Sequence, residues 1–133
     1  MNLQRHANGV DWPAVVELFR LAGLGGREGD KVRRAFEKSD LTVFAFEGST
    51  LVGAARALTD FEYHAGIYDV VVHPNHQRRG IGSLMMHELL SSLKVWRVLL
   101  VADADAAPFY ARMGFQPYGN VLARLDRSQL FDQ

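Results

Sequence analysis

The chain has 133 residues, of which 48% are apolar and 23% charged, and its 15 basic and 15 acidic side chains give a formal net charge of zero. That composition predicts one folded domain over residues 1–133, with a real core, and excludes a disordered chain or one drawn by overall charge to nucleic acid or an anionic membrane. With no cysteine, disulfides, thiolate nucleophiles and cysteine-bound zinc are excluded as well.

Residues 2–6 read as a short edge strand that Gly9 ends. Asp11 is placed to cap a helix, with Pro13 in its first turn and Val15, Val16, Leu18, Phe19 and Leu21 as its apolar face. Gly23, Gly25 and Gly26 break that helix. A second one starts near Gly29 and Asp30, with Val32, Phe36 and Leu41 toward the core. Lys31, Arg33, Arg34, Glu37 and Lys38 coat its outer side, either as a solvated surface or as one wall of a cleft. Residues 41–46 and 51–58 are strand-like runs around the turn Glu47-Gly48-Ser49-Thr50, so they form a hairpin. Residues 65–73 are the most uniformly apolar run, as expected of a central strand covered on both faces.

After a loop, residues 81–93 read as an amphipathic helix with Ile81, Leu84, Met85 and Leu89 toward the sheet. Residues 96–101 are another apolar strand, with Asp103 and Asp105 at its carboxyl end. Pro108 opens a short helix to Met113, capped by Gly114. Residues 115–118 and 121–125 read as two last strands around Gly119 and Asn120, and the tail with Phe131 is unassigned. The order β-α-α-β-β-β-α-β-α-β-β predicts a mixed α/β (α+β) domain of six to seven strands and about four helices. Its crossover from 68–73 through the long helix to 96–101 is expected to be parallel and right-handed. No apolar run reaches about 18 residues and Met1 to Val10 is too polar for a signal peptide, so the expectation is a soluble, cytoplasmic protein without a membrane partner.

The most informative stretch is Ile67 to Met85. A β-branched strand ends at Pro74, Asn75 and His76 turn the chain, and Gln77-Arg78-Arg79-Gly80-Ile81-Gly82 opens the long helix. The first N–H groups of a helix have no partner within it and point outward together, which makes an anion site. Gly80 and Gly82 let a phosphate approach the backbone, and Arg78 and Arg79 carry charge that suits it.

Gln77 to Gly82, preceded by Asp69-Val70-Val71-Val72-His73-Pro74, resembles the cofactor signature Arg/Gln-x-x-Gly-x-Gly/Ala of the GCN5-related N-acetyltransferases, the GNAT superfamily. Phe109-Tyr110-Ala111-Arg112-Met113-Gly114-Phe115 resembles that family's Phe/Leu-Tyr-x-x-x-Gly-Phe segment, and Leu51-Val52-Gly53 its hairpin strand. The likeness covers nearly the whole chain and is weakest in residues 1–10. It implies the GNAT fold of a small single-domain member and acetyl-CoA as cosubstrate. It also implies pyrophosphate held by the loop of Gln77, Arg78, Arg79, Gly80, Gly82 and Ser83, and a pantetheine arm paired along Val70, Val71 and Val72. A β-bulge before the loop is a family habit, and it would free an N–H near Val71 or Val72 to polarise the thioester carbonyl. Tyr110 becomes the candidate acid for the departing thiolate, or else an aromatic packed beside the cofactor.

The resemblance further implies direct acetyl transfer to an amine, without an acyl-enzyme, and homodimers through sheet edges or last strands. The base is left open among Asp69, Tyr68, His64 and Glu62. Asp69 receives a proton through water or else only orders its loop. His64 is a candidate base near a strand start or lies on the surface. His73 and His76 stand beside the anion loop and shape it or face solvent. Arg56, His64 and Tyr68 are the candidate acceptor-binding residues: Arg56 binds an acceptor carboxylate or pairs with Asp69. Asp60, Glu62 and Asp69 make this side locally acidic, while Trp12 and Phe19 close the acceptor cleft or belong to the core. No His, Asp or Glu grouping has metal-ligand spacing, and no nucleophile elbow is present. The expected function is therefore an N-acetyltransferase acting on a small-molecule or protein amine, with a non-catalytic acyl-CoA-binding or partner-binding domain as the alternative. A nucleic-acid binder lacks the necessary basic surface.

Overall fold

Capping and glycine punctuation set the first helical layer in the computed structural model, which describes residues 1–130. The Asp11 carboxylate accepts from the Ala14 N–H at 3.4 Å and starts α1 (Trp12–Leu21), which buries Val15, Leu18 and Phe19. Helix α2 (Gly29–Glu37) buries Val32 and Phe36 and carries Arg33 between Asp30 and Glu37 outside. It stops before Leu41, because the Ser39 hydroxyl donates to the Ala35 carbonyl at 2.7 Å and closes the last turn. Leu41 begins a strand, as the 41–46 run predicts, and so does not belong to the core side of the helix.

The sheet has five strands in the order β1-β2-β3-β4-β5. They are β1 (Asn2–Gln4), β2 (Leu41–Glu47), β3 (Thr50–Thr59), β4 (His64–Val72) and β5 (Arg97–Leu100). The first four pair antiparallel in sequence, and β4 pairs parallel with β5 after the crossover through α3 (Ile81–Ser91). A short helix, α4 (Ala107–Ala111), follows β5. The six to seven strands expected are thus five among the described residues: 115–118 and 121–125 are not strands. Their apolar residues supplied propensity but no partner, and a strand needs one for its N–H and C=O groups. Leu122 and Leu125 of that segment are 96% and 78% exposed. Phe131 lies outside the described residues.

Two cores sandwich the sheet. On one face Ile81, Met85, Met86, Leu89 and Leu93 pack against Val43, Ala55, Ala57 and Ile67. Met85 and Met86 are both buried, as core packing of the methionines predicts, whereas Leu84, expected toward the sheet, is exposed. On the other face α1 and α2 pack Phe19 and Phe36 against Phe44, Ala54 and Val71. The Phe36 ring has centroids of Trp12, Phe19 and Phe44 at 5.9, 6.1 and 5.3 Å. Phe36→Ala empties the middle of this aromatic cluster. It is expected to cost about 3–5 kcal/mol of folding stability, read as a lower urea midpoint at unchanged slope. No helix of the described residues is long and apolar enough to cross a membrane.

Candidate active site

The site is built where β4 leaves its neighbours. Ala54 pairs with Val71 and Arg56 with Tyr68, so β4 carries one residue more than β3 across this step. Asp69 takes up the difference with φ 58, a left-handed conformation that a non-glycine residue rarely adopts. Beyond the bulge β4 also parts from β5, which pairs only with His64 to Ile67.

Hydrogen-bond alternation then decides which backbone groups face the opening. The His73 N–H donates to the Val52 carbonyl at 2.8 Å, so 52–73 is a hydrogen-bonded pair of the antiparallel ladder. Such pairs alternate, which makes Gly53–Val72 a non-bonded pair and Ala54–Val71 the next bonded one. The N–H and C=O of Val72 therefore face the edge that β5 has left, while Val71 is engaged with β3. The Gln77 side chain donates to that outward Val72 carbonyl at 3.4 Å. The Val70 and Val72 side chains pack toward α3, and Val71 packs toward α1 and α2.

The loop that follows is a concave set of donors. Arg78 and Gly80 both have positive φ, 65 and 82, a pattern that turns successive N–H groups inward on an anion. Gly80 caps α3 with no side-chain hydrogen bond, and the first intrahelical bond runs from Leu84 to Gly80. The N–H groups of Ile81, Gly82 and Ser83 are left without helical acceptors. Arg78 and Arg79 are exposed beside them. A β-carbon on Gly82 would lie 3.2 Å from Phe109 Cζ and 3.7 Å from Val72 Cγ2. The loop, the open strand edge and α4 thus converge within van der Waals reach. These donors, with the close approach that Gly82 allows, fit a diphosphate and an extended chain running from it along β4.

Tyr110 stands next to Phe109 on α4, half-buried, with its ring 4.9 Å from Phe109 and 5.9 Å from Phe115. Burial in this apolar packing pushes its phenol above the usual tyrosine value, so it holds its proton at neutral pH. His73 and His76 stack edge-on at 5.2 Å, and His73 Nδ1 accepts from the Asn75 N–H, which shapes the turn into the loop.

On the opposite face of the bulge lies a second cleft of about 170 Å³, between α1, α2 and the sheet. Its centre is Asp69. One carboxylate oxygen is 2.8 Å from Arg56 Nε and the other 3.2 Å from Arg27 Nη1, and the side chain is only 9% exposed. The Arg56 guanidinium lies over the Phe36 and Tyr68 rings at 5.8 and 5.6 Å and donates to Ser39 Oγ. Arg27 lies over Phe19 at 5.7 Å. Of the alternatives open for Arg56, its pairing with Asp69 is the one present.

Other expected residues sit elsewhere. His64 begins β4, four residues and roughly 13 Å of strand from Tyr68. It is exposed, with its ring 5.9 Å from Trp96. Asp60 accepts the N–H groups of Glu62, Tyr63 and His64, which hold its carboxyl below the usual range and make it the brace of the β3–β4 turn. Phe19 is a fully buried core residue that also lines the cleft, whereas Trp12 is partly buried and packs against the same core. Arg27 was not foreseen. It lies in a glycine-rich connection without periodicity, where only a loop cation beside two helices hinted at function. Gln129 and Leu130 were not foreseen either; they return from the chain's far end to line the same cleft. A larger cavity of about 500 Å³ lies at the β1–β2 edge, beside the Arg5–Glu88 ion pair. It is about 14 Å across the sheet from the β4–β5 opening. Among the described residues no group of three His, Asp or Glu side chains is placed to hold a metal.

Comparison with known proteins gives a consistent result. The model of the Acetyltransferase (GNAT) family matches residues 12–115. Serotonin N-acetyltransferase 2, chloroplastic, from Oryza sativa subsp. japonica is 32% identical over 120 residues, covering 85% of this chain and 60% of that protein. The uncharacterized N-acetyltransferase ycf52 of Pyropia yezoensis is 35% identical over 92 residues, covering 64% of this chain and 53% of the other. The chain thus spans about half the length of the curated relatives it matches. A GNAT-family acetyltransferase from Streptococcus pneumoniae TIGR4 superposes with a TM-score of 0.78 at 25% identity, covering 94% of this chain and 98% of that one.

Proposed function

Because this chain belongs to the GNAT acetyltransferase family, we propose that it moves an acetyl group from acetyl-CoA directly to an amine, with no acyl-enzyme. The observation that carries this reading is the opened edge of β4 at Val72, which meets the donor loop at Gly82 and α4 at Phe109, the neighbour of Tyr110. Arg78, Arg79, Gly80, Gly82 and Ser83 hold the diphosphate through backbone N–H groups, with the two guanidinium groups supplying charge. Val70 and Val72 pair with the pantetheine amides as a neighbouring strand would. The outward Val72 N–H donates to the thioester carbonyl as negative charge builds there. The neutral amine forms the new N–C bond while the C–S bond breaks. The amine gives up one proton, and Tyr110 gives one to the departing sulfur.

Asp69 is the remaining candidate for the amine's proton, relayed through water. Its two guanidinium partners support the other role, that of ordering the bulge, since both carboxylate oxygens are already engaged. The acceptor is a primary amine, as serotonin is for the rice relative by its name. Release of free CoA thiol in a panel of amines tests the whole reading. Acetyl-CoA binding without transfer to any amine would favour a non-catalytic acyl-CoA-binding domain, and absence of binding would overturn both.

A further inference from the structure

We infer that the acceptor is a small amine that also carries a carboxylate close to its amino group, as an α-amino acid does; this rests on the transfer reading above and narrows it. The cleft beneath the bulge is lined by three cations, Arg27, Lys31 and Arg56, and two carboxylates, Glu28 and Asp69, which leaves one positive charge in excess. Asp69 is already shared between the two arginines. Lys31 pairs with no carboxylate among the described residues. Arg27 is 30% exposed and engages Asp69 at the longer of the two distances, so its remaining N–H donors are open to the cleft. A guanidinium and an ammonium on neighbouring positions, one loop residue and one in the first turn of α2, make a seat for a second carboxylate.

The dimensions set how far that carboxylate lies from the reacting amine. Arg27 is within 3.2 Å of Asp69, and Asp69 is itself the residue of the bulge where β4 opens. A carboxylate at Arg27 and Lys31 therefore lies beside the bulge at which the opening begins. At about 170 Å³ the cleft holds the volume of roughly six waters, which suits a molecule of amino-acid size. Phe19 and Phe36 form its apolar floor, and Gln129 and Leu130 close one side. A polyamine, cationic at every nitrogen, meets the excess positive charge here, and of the two carboxylates only Glu28 is not already shared between arginines.

Matched acceptors that differ only by the carboxylate test this: phenylalanine with phenethylamine, tryptophan with tryptamine, and threonine with 1-aminopropan-2-ol. At saturating acetyl-CoA, at least one amino acid is expected to exceed its decarboxylated partner at least tenfold in kcat/KM. Lys31→Met is expected to raise KM for that amino acid about tenfold with kcat kept, and so to shrink the ratio within the pair. Lys31→Arg restores it, and a thermal melt shows that each variant is folded. Decarboxylated amines used as well as or better than their partners would overturn this inference and leave the transfer reading standing. So would a ratio that Lys31→Met does not change. Acetyl-CoA binding by calorimetry with no member of any pair acetylated would overturn both.

Discussion

Tyr110→Phe is expected to lower kcat about 100-fold while leaving the Kd for acetyl-CoA within about twofold, the lower end of what a positioned general acid supplies. That loss corresponds to about 2.7 kcal/mol of transition-state stabilisation. The split between rate and affinity follows from the packing. The Tyr110 ring is held between Phe109 and Phe115, and phenylalanine keeps both contacts. Only the hydroxyl proton is lost, and it is needed when the thiolate departs rather than when the cofactor binds. The pH profile supplies an independent check. Burial raises the Tyr110 phenol above its ordinary value of about 10, so it stays protonated through pH 7 to 9. An acid that must be protonated is lost as pH rises through its pKa, so its limb in the wild-type profile belongs above about pH 10. Unchanged turnover in the phenylalanine variant would remove Tyr110 from the chemistry.

Gly82→Val is expected to weaken acetyl-CoA binding at least 100-fold, measured by calorimetry on a variant whose thermal melt remains cooperative. Two effects add. The new β-carbon would stand 3.2 Å from Phe109 Cζ and 3.7 Å from Val72 Cγ2, so α4 or the strand edge must move away from the loop. The side chain also fills the space through which a phosphate reaches the first N–H groups of α3. Losing two charge-assisted hydrogen bonds at about 1.5–3 kcal/mol each accounts for such a change. Gly82 has no left-handed φ, so the effect comes from crowding and not from backbone strain. Gly80, at φ 82, is the opposite case: nothing crowds it, and only its conformation demands glycine. Retained affinity in the Gly82 variant would count against the loop as the diphosphate seat.

The two halves of the site differed in how readily they could be read. The donor side was legible because it is contiguous: strand, turn, two spaced glycines and a helix all lie between Ile67 and Met85. Tyr110 was legible through its neighbours Phe109 and Gly114. The proposed acceptor side was not, because its parts meet only in space. Arg27 and Asp69 come from a loop and a strand far apart in the chain, and Gln129 and Leu130 come from its far end. His64 shows the complementary failure. It sits in the right strand, yet four residues of extended backbone carry it away from the opening.

What is local could be read from the chain alone: the element order through α4, the hairpin of β2 and β3, and a glycine loop opening α3. Turn chemistry, caps and the periods of 2 and 3.6 residues act over a few positions, so a single chain displays them. Only the tertiary structure decided that residues 115–125 form no strands, that β4 bulges at Asp69 and parts from β5, and that Asp69 is gripped by two arginines. Each of these depends on which partner a backbone or a charge finds across the fold. A β-branched run carries its propensity wherever it stands, but its ladder, its register and its ion pairs exist only where another segment arrives to complete them.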